Sequence, residues 1–511
     1  MQQSGRIGIH VLLTAVAAVG GCATVNPRPD YDRTAEQVTA ATGQSFGYRP
    51  DDDQVVQERV QELLRDGLTA DDAAQVCLLN NRKVQAALYE VGAARADVVQ
   101  AGLLSNPTLS FGLKFPDAGG LAMFEVALVQ DLADLWKIPM RHRAAERTLD
   151  HRILQVAGEI STAAYAAKTA YYRAKQAERK RDIAAESVQL ATQVLDLALA
   201  RQQAGAGGEI DVNLARCEVQ QAELLLRSAT LEAFEARSAL AAQLSLAIPP
   251  DALVLTEALP EPPRWDVADD TWLRLAAEHR LDIRAGQSAT KAARARVREE
   301  QLKLFPTLEL GVNFELEEQR PAEGRNILAD SVRSSLAEGE PRVDIAPKEK
   351  QSTDTLLGPS LGMELPIFNQ NQGGIARARY EHEQSLKLLE DLTIQAGQEV
   401  RLASTRARTA WSNVGFYRDE VLPLRETSLD LARTAYQAGR TPLLNVLEVE
   451  RALLTARAGY AESLQASASA LVELEKATGQ PIARILEAAQ AMDKISGDGP
   501  TPPGLVNEPR D

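Results

Sequence analysis

The sequence predicts a mostly helical chain that carries four amphipathic β-strands and consists of two copies of one repeat. Three observations predict this fold class: strands in which apolar and polar residues alternate, helices too long for a globular domain, and an order of elements that occurs twice. The strands matter most, because they decide whether the long helices belong to a soluble bundle or to a membrane protein.

The four predicted strands are 108–115, 124–130, 307–316 and 357–368. In the third strand every second residue from Leu308 to Leu316 is apolar, and the residues between them are small, polar or acidic. This period of two is typical of a strand with one apolar and one wet face. Tilted strands of about nine to eleven residues are long enough to cross a bilayer. A soluble antiparallel sheet packed on helices shows the same alternation, so the strands alone leave both interpretations open.

Four strands cannot close a barrel, and an open strand edge in lipid leaves backbone groups unpaired at several kcal/mol each. A membrane protein with these strands must therefore borrow strands from copies of itself. Three copies would supply twelve strands, an even number within the range of outer-membrane barrels. We expect four glutamates of the wet faces to face a watery lumen and make it tolerant of cations, although a solvated glutamate needs no such role: Glu125, Glu309, Glu315 and Glu364.

Long helices follow each strand pair. Residues 137–204 are dominated by Ala, Leu, Gln, Glu and Arg, and a helix of about 65 residues is close to 100 Å long. Heptad-like spacing of Leu190, Val194 and Leu197 indicates a coiled coil. A soluble helical bundle or filament is the alternative, and the bilayer-length strands argue against it.

The pattern helix, strand, strand, long helix, turn, helix occurs twice, with 294–311 repeating 95–112 at a constant offset. The second copy carries about 35 extra residues in the polar loop 317–355, which we place on the exterior side because loop tips in solvent tolerate insertions. These spacings predict the following segments: 1–21 signal peptide, 22–68 N-terminal segment, 69–250 first repeat, 251–268 connector, 269–479 second repeat and 480–511 C-terminal tail.

The N-terminus has the pattern of an export signal, with Arg6, an apolar run and a small-residue site before Cys22. Val19–Cys22 resembles a bacterial lipobox, which implies cleavage before Cys22, acylation of its thiol and amino group, including palmitate, and anchoring in outer-membrane lipid. An ordinary secretory signal with an incidental cysteine is the alternative. The net charge of −15 leaves no basic surplus to neutralise phosphates and argues against a nucleic-acid partner.

Two stretches carry a family resemblance. The stretch 421–448, with Ala435–Gly439 and Leu443–Glu448, resembles the C-terminal repeat of the TolC-like outer-membrane efflux proteins, and Asn106–Leu109 with Gly205 matches the first repeat more weakly. The resemblance covers about 69–479. It implies a lipid-anchored homotrimer whose twelve-stranded barrel crosses the outer membrane and continues as a periplasmic α-helical tunnel. It also implies a periplasmic adaptor and an inner-membrane pump of the resistance-nodulation-division type as partners, with small molecules or metal ions as cargo.

The same resemblance suggests which residues control passage. Glu448 falls on a position where acidic side chains narrow the periplasmic mouth in the family, Asn445 on a second such position that usually carries an acid, and Asp211 on the equivalent of the first repeat. An exposed coiled-coil acid is the alternative for each. The glycines of the two helical turns end helices, and the tips are the expected adaptor-docking surface: Gly205, Gly207, Gly208 and Gly439.

The residues do not predict an enzyme. The five histidines complete no zinc or metalloprotease spacing, so no catalytic residue, metal site or cofactor is expected. Type I protein secretion competes with efflux within the transport class. Two other classes remain: a periplasmic adaptor should have one hairpin between small β-domains, and a coiled-coil structural lipoprotein has no use for alternating strands.

Overall fold

The computed structural model describes residues 23–50, 53–115, 122–263, 267–319, 327–341 and 352–485. Cys22, the predicted signal peptide and the chain after 485 lie outside these residues. Two compact units form the chain. The helical unit comprises Met1–Val98, Glu146–Ala292 and His382–Asp511, and the sheet unit comprises Val99–Ala145 and Ala293–Glu381.

The described helices follow the predicted order with several added breaks. Their bounds are α1 Arg28–Thr42, α2 Asp53–Arg65, α3 Ala70–Asn80, α4 Arg82–Ala101, α5 Asp134–Gln203, α6 Glu209–Gln243, α7 Asp269–His279, α8 Leu281–Leu302, α9 Ile327–Glu338, α10 Gln372–Phe416, α11 Leu422–Gln437 and α12 Leu443–Thr478. A π-helical turn, Tyr417–Val421, joins α10 to α11. Pro423 is the second residue of α11. Because proline has no backbone N–H, the regular hydrogen-bond ladder cannot continue through it.

The polar sequence of residues 23–49 predicts irregular chain, whereas the structure has a docked helix there, α1. In α1 the carboxylate of Asp30 is fully buried and accepts hydrogen bonds from Arg95 Nε at 2.6 Å and Nη2 at 2.7 Å. Tyr165 donates a hydrogen bond to the carbonyl of Ala41 at 2.7 Å. Local composition cannot predict these contacts, because they join residues 65 and 124 positions apart in the chain.

The pattern of residues 69–104 predicts one helix, whereas the structure has two helices there, α3 and α4. Asn81 adopts an extended conformation between them, and its Oδ1 accepts the backbone N–H of Lys83 at 2.8 Å. Its Nδ2 donates to the carbonyl of Gln243 at 2.7 Å, and Nδ2 of Asn80 donates to that of Leu244 at 2.9 Å. Asparagine side chains thus compete with the helix for backbone groups.

Thr69, followed by Ala70, Asp71 and Asp72, has the sequence of an N-cap, and in the structure it caps α3. Its Oγ1 accepts the backbone N–H of Asp72 at 3.1 Å, and the Asp72 carboxylate accepts the backbone N–H of Thr69 at 3.0 Å. This reciprocal pair is a capping box. We expect Thr69→Ala to lower the free energy of unfolding by about 1 kcal/mol, measured by urea denaturation in detergent. The control is Thr405→Ala, at an exposed mid-helix threonine that donates to the Arg401 carbonyl; an equal loss in both variants would contradict the capping role.

The long helix α5 is the most extended element. One stretch of it is long and apolar enough to cross a membrane by length and composition alone, a test that core helices of soluble proteins also pass. In the helical unit its buried residues recur every three or four positions, among them Leu149, Ile153, Val156 and Ile160. That spacing is typical of a helix with one face packed in a bundle.

The sheet unit contains one antiparallel sheet in the order β1-β2-β3-β4. The strands are β1 Thr108–Lys114, β2 Met123–Asp131, β3 Thr307–Gln319 and β4 Ser352–Glu364. Strand β4 begins five residues before the predicted 357 and ends before the predicted 368. Pairing explains both ends: Gln319 lies opposite Ser352, and Thr307, the first residue of β3, lies opposite Glu364. Residues beyond Glu364 therefore have no β3 residue to pair with.

The predicted fold class, a mostly helical chain with four strands, agrees with this architecture. The loop predicted at 317–355 is shorter than expected, since its ends extend β3 and β4 and it carries α9.

Candidate functional site

Two surfaces hold the residues that the sequence marks as functional: the polar face of the sheet and the turns that join α5 to α6 and α11 to α12. The strand register decides the first. Glu125 lies opposite Gly112 and Glu315, and Glu309 lies opposite Asp131 and Gly362. Glu364 pairs with Thr307. All four predicted lumen glutamates thus lie on one face of the sheet.

The register also reveals acidic partners that the sequence analysis missed. Asp131 faces Glu309, Glu125 faces Glu315, and Glu317 faces Asp354, so three cross-strand pairs join acid to acid. Like charges directly opposite each other destabilise a sheet. Lys114 Nζ, 2.9 Å from Glu125 Oε2, offsets one of these charges. A face with this surplus of acidic side chains attracts cations. The acid pairs can be recognised only when the register between the strands is known.

The opposite face of the sheet is apolar and exposed in the single chain. Phe111 is 68% exposed, Leu357 72% and Leu361 70%. A contiguous apolar surface of this kind marks contact with a partner or a membrane. Strands β1 and β4 each pair on one side only within the described sheet, so their outer edges offer backbone hydrogen-bonding groups.

Glycines shape the two helical turns, though not all in the same way. Gly205 has φ +72° and Gly439 has φ +71°, the left-handed conformation that glycine adopts without a steric penalty. A Cβ on Gly207 would lie 3.1 Å from the backbone nitrogen of Gln202. Gly208 is the N-cap of α6 with φ −95°, so its backbone is open to other residues.

Arg201, near the end of α5, connects the two turns. Its Nη1 donates to the carbonyls of Tyr436 and, at 3.3 Å, Gln437, and its Nη2 donates to the carbonyl of Ala206 at 3.1 Å. The guanidinium carbon also lies 4.6 Å from the centre of the Tyr436 ring, a cation–π geometry. Nothing in the local sequence distinguishes this arginine from the others of the helix.

The predicted gate residues lie close to these turns. Glu448 and Asn445 are exposed on α12, and Asn445 Nδ2 donates to Thr441 Oγ1 at 2.7 Å. Asp211 is half-buried on α6, where its carboxylate acts on Tyr436. Burial raises the pKa of Tyr436, Asp211 adds to this rise, and Arg201 opposes it. The structure thus brings Asp211 to the Tyr436 side of the turns and leaves Glu448 in solvent.

Glu450 is the acidic residue that the sequence analysis overlooked. It is 3% exposed and follows Leu443, Val446 and Leu447 at the spacing of a buried heptad position. Burial raises the pKa of Glu450 to about 7, Arg433 opposes the rise, and Glu218 adds to it. The signal was available, since an acid interrupts an otherwise apolar stripe. Among the described residues, no three His, Cys, Asp or Glu side chains are grouped so as to hold a metal ion.

Comparison with known proteins relates the whole arrangement to one family. The model of the family described as outer membrane efflux protein matches residues 73–245 and 272–480. The cobalt-zinc-cadmium resistance protein CzcC of Cupriavidus metallidurans is 23% identical over 423 residues, which cover 81% of this chain and 90% of CzcC.

Two solved structures show the same architecture. The CmeC outer membrane channel of Campylobacter jejuni has a TM-score of 0.63 at 16% identity, covering 83% of this chain and 90% of that one. The outer membrane protein VceC of Vibrio cholerae has a TM-score of 0.61 at 17% identity, covering 80% and 96%. At these identities the likeness shows the fold.

Proposed function

Because the chain belongs to the outer membrane efflux protein family, it is the outer-membrane channel of an efflux system, and we propose that its cargo consists of metal cations. The family is one of channel proteins, in agreement with the expectation that the chain is not an enzyme. The observation that carries the proposed cargo is the set of acid pairs on one sheet face, Glu125–Glu315, Asp131–Glu309 and Glu317–Asp354. The similarity to a protein named for cobalt, zinc and cadmium resistance supports it.

We propose that three copies assemble, with the outer edge of β4 in one copy pairing with β1 of the next. Two features support this: each edge strand pairs on one side only, and unpaired edges are not stable in lipid. The apolar face would then contact lipid, and Glu125, Glu309, Glu315 and Glu364 would line a twelve-stranded lumen. Exposed leucines on α6, among them Leu224 and Leu231, are proposed subunit contacts in the helical tunnel.

Glu448, with Asn445 and Asp211 nearby, is proposed to narrow the periplasmic mouth. Three copies of an exposed carboxylate close to one axis would repel each other and attract cations. The turns formed by Gly205, Gly207, Gly208 and Gly439 are proposed to contact a periplasmic adaptor.

Cys22, outside the described residues, is proposed as an acylated anchor, and the predicted segment boundaries from 1–21 to 480–511 stand as proposals with it. Efflux channels of this family work with adaptor and inner-membrane pump components. For this chain we propose an inner-membrane pump of the resistance-nodulation-division type, as the resemblance to the TolC-like proteins implies. Protein secretion remains the second candidate within transport, with no observation of its own in this chain.

The experiment is ion selectivity in a planar lipid bilayer. We expect the wild-type protein to conduct. Under a ZnCl₂ gradient its reversal potential should show a higher permeability to Zn²⁺ than to chloride. Changing Glu125, Glu309 and Glu315 together to glutamine should lower the cation-to-anion permeability ratio several-fold, most strongly at low salt where charges are least screened.

The matched control removes the same charge from exposed positions of α1 and α2, at Glu36, Glu58 and Glu62, and should keep the wild-type ratio. No conductance from the wild-type protein would refute the channel. An unchanged ratio in the sheet variant would refute the cation path.

A further inference from the structure

Helix α12 packs against α11 and α6 through buried apolar side chains. On α12, Glu450 lies between Leu447 and Leu453, two members of a cluster of buried apolar side chains that also includes Val212 of α6 and Leu429 of α11. Glu450 itself is buried, with 3% of its surface exposed. Its Oε2 has no hydrogen-bond partner among the described residues, and Nη2 of Arg433 on α11 is likewise buried without one.

The charged groups around Glu450 are few. Arg433 attracts its carboxylate from α11, and Glu218 repels it from α6. Glu218 is engaged elsewhere, since its carboxylate accepts hydrogen bonds from Arg451 Nε at 3.0 Å and from Nη2. On α12 itself Glu448 is exposed, and α5 contributes the apolar Val194 and Ala198.

A neutral carboxyl group fits this cluster, whereas a carboxylate does not unless it gains partners. The ionised side chain has two ways to gain them: it can reach the unpaired nitrogen of Arg433, or it can move out to water. Moving the carboxylate out to water would shift α12 relative to α11, because Glu450 lies on the packed face of α12. The turn between these helices, 438–442, directly precedes Asn445 and Glu448 on α12.

We propose that Glu450 and Arg433 form a proton-controlled joint between α11 and α12 that sets the position of the gate residues at the channel mouth. The proposal rests on the proposed function, because it assigns regulation to the same gate. Protonated Glu450 keeps the packing described above, and ionised Glu450 repositions the α11–α12 hairpin. Glu450 is thus a positioning residue and does not contact the cargo.

Single-channel conductance as a function of pH tests the joint. We expect the wild-type channel to change conductance with a midpoint near pH 7, where Glu450 ionises. E450Q should keep one conductance level through this range, because glutamine imitates the neutral acid. R433M should move the midpoint to higher pH, since removal of the positive charge favours the neutral acid further.

E462Q, an exposed acid on the same helix, is the matched control and should keep the wild-type midpoint. A second readout is the thermal unfolding midpoint against pH. The pKa of Glu450 is raised from 4.5 to about 7, so its neutral form stabilises the fold fully below pH 4.5, and this contribution declines as pH rises through about 7. E450Q should lack this decline.

The outcomes separate the two hypotheses. A wild-type protein that never conducts refutes the channel function. The pH dependence of thermal unfolding still tests whether protonation of Glu450 stabilises the fold. If the wild-type protein conducts and E450Q and R433M both keep its pH midpoint of conductance, the proposed joint is wrong. It is also wrong if unfolding of E450Q keeps the wild-type pH dependence.

Discussion

Leu357→Arg is expected to lose most of its folded, membrane-inserted form, while Leu356→Arg on the same strand is not. The two leucines are neighbours on β4 and point to opposite faces of the sheet: Leu357 lies opposite Phe314 on the apolar face, and Leu356 lies opposite Glu315 on the acidic face. An arginine on the lipid face of a barrel costs about 2–4 kcal/mol near the middle of the bilayer, and each subunit would carry it. An arginine at 356 can instead pair with Glu315.

The measurement is the fraction of protein that fractionates with the outer membrane as a heat-labile oligomer. Because both variants replace leucine with the same residue, composition and charge cancel in the comparison. Equal yields of Leu357→Arg and wild type would show that the apolar face does not contact lipid. Equal loss in both variants would point to a general defect in strand formation.

Arg95→Met should destabilise the helical unit by about 3–5 kcal/mol, the cost of leaving a buried charge without its partner. Two nitrogens of the Arg95 guanidinium donate hydrogen bonds to the carboxylate of Asp30, which is fully buried. Methionine keeps much of the aliphatic volume, so the change tests the charge. We expect a lower thermal unfolding midpoint and faster proteolysis of α1.

The matched control is Arg33→Met. Arg33 also approaches Asp30, at 3.5 Å, but its main partner is Asp150 at 2.6 Å and its side chain is 49% exposed. Exposed ion pairs contribute about 0–1 kcal/mol, so this variant should unfold nearly as wild type. If Arg95→Met behaves like Arg33→Met, the buried pair does not hold α1 in place.

Local spacing predicted the parts of the structure that depend on near neighbours. The alternation from Leu308 to Leu316 placed the apolar and polar faces of β3 correctly, and Thr69 marked the start of α3. The repeat and the stretch 421–448 indicated the family that the family model matches at 73–245 and 272–480. For the turns, the sequence identified Gly205 and Gly439, whose positive φ angles need glycine.

The functional surfaces were predicted less completely. The four glutamates of the wet face were identified, but Asp131, which lies opposite Glu309, and the pair Glu317–Asp354 were not. The alternation within one strand does not specify its register with another strand. Glu450 was passed over although its place in the apolar stripe of Leu443, Val446 and Leu447 marks it as buried; its neighbours on other helices could not be predicted from the sequence.

What the sequence determined by itself is therefore periodic: which residues share a face, where helices begin and turn, and that the pattern occurs twice. Only the tertiary structure decided which distant groups meet. It placed Asp30 against Arg95, Arg201 against the carbonyl of Tyr436, and Glu450 in an apolar cluster. Periodicity acts over a few residues through backbone geometry, whereas the contacts of Asp30 with Arg95 and of Arg201 with Tyr436 join residues 65 and 235 positions apart.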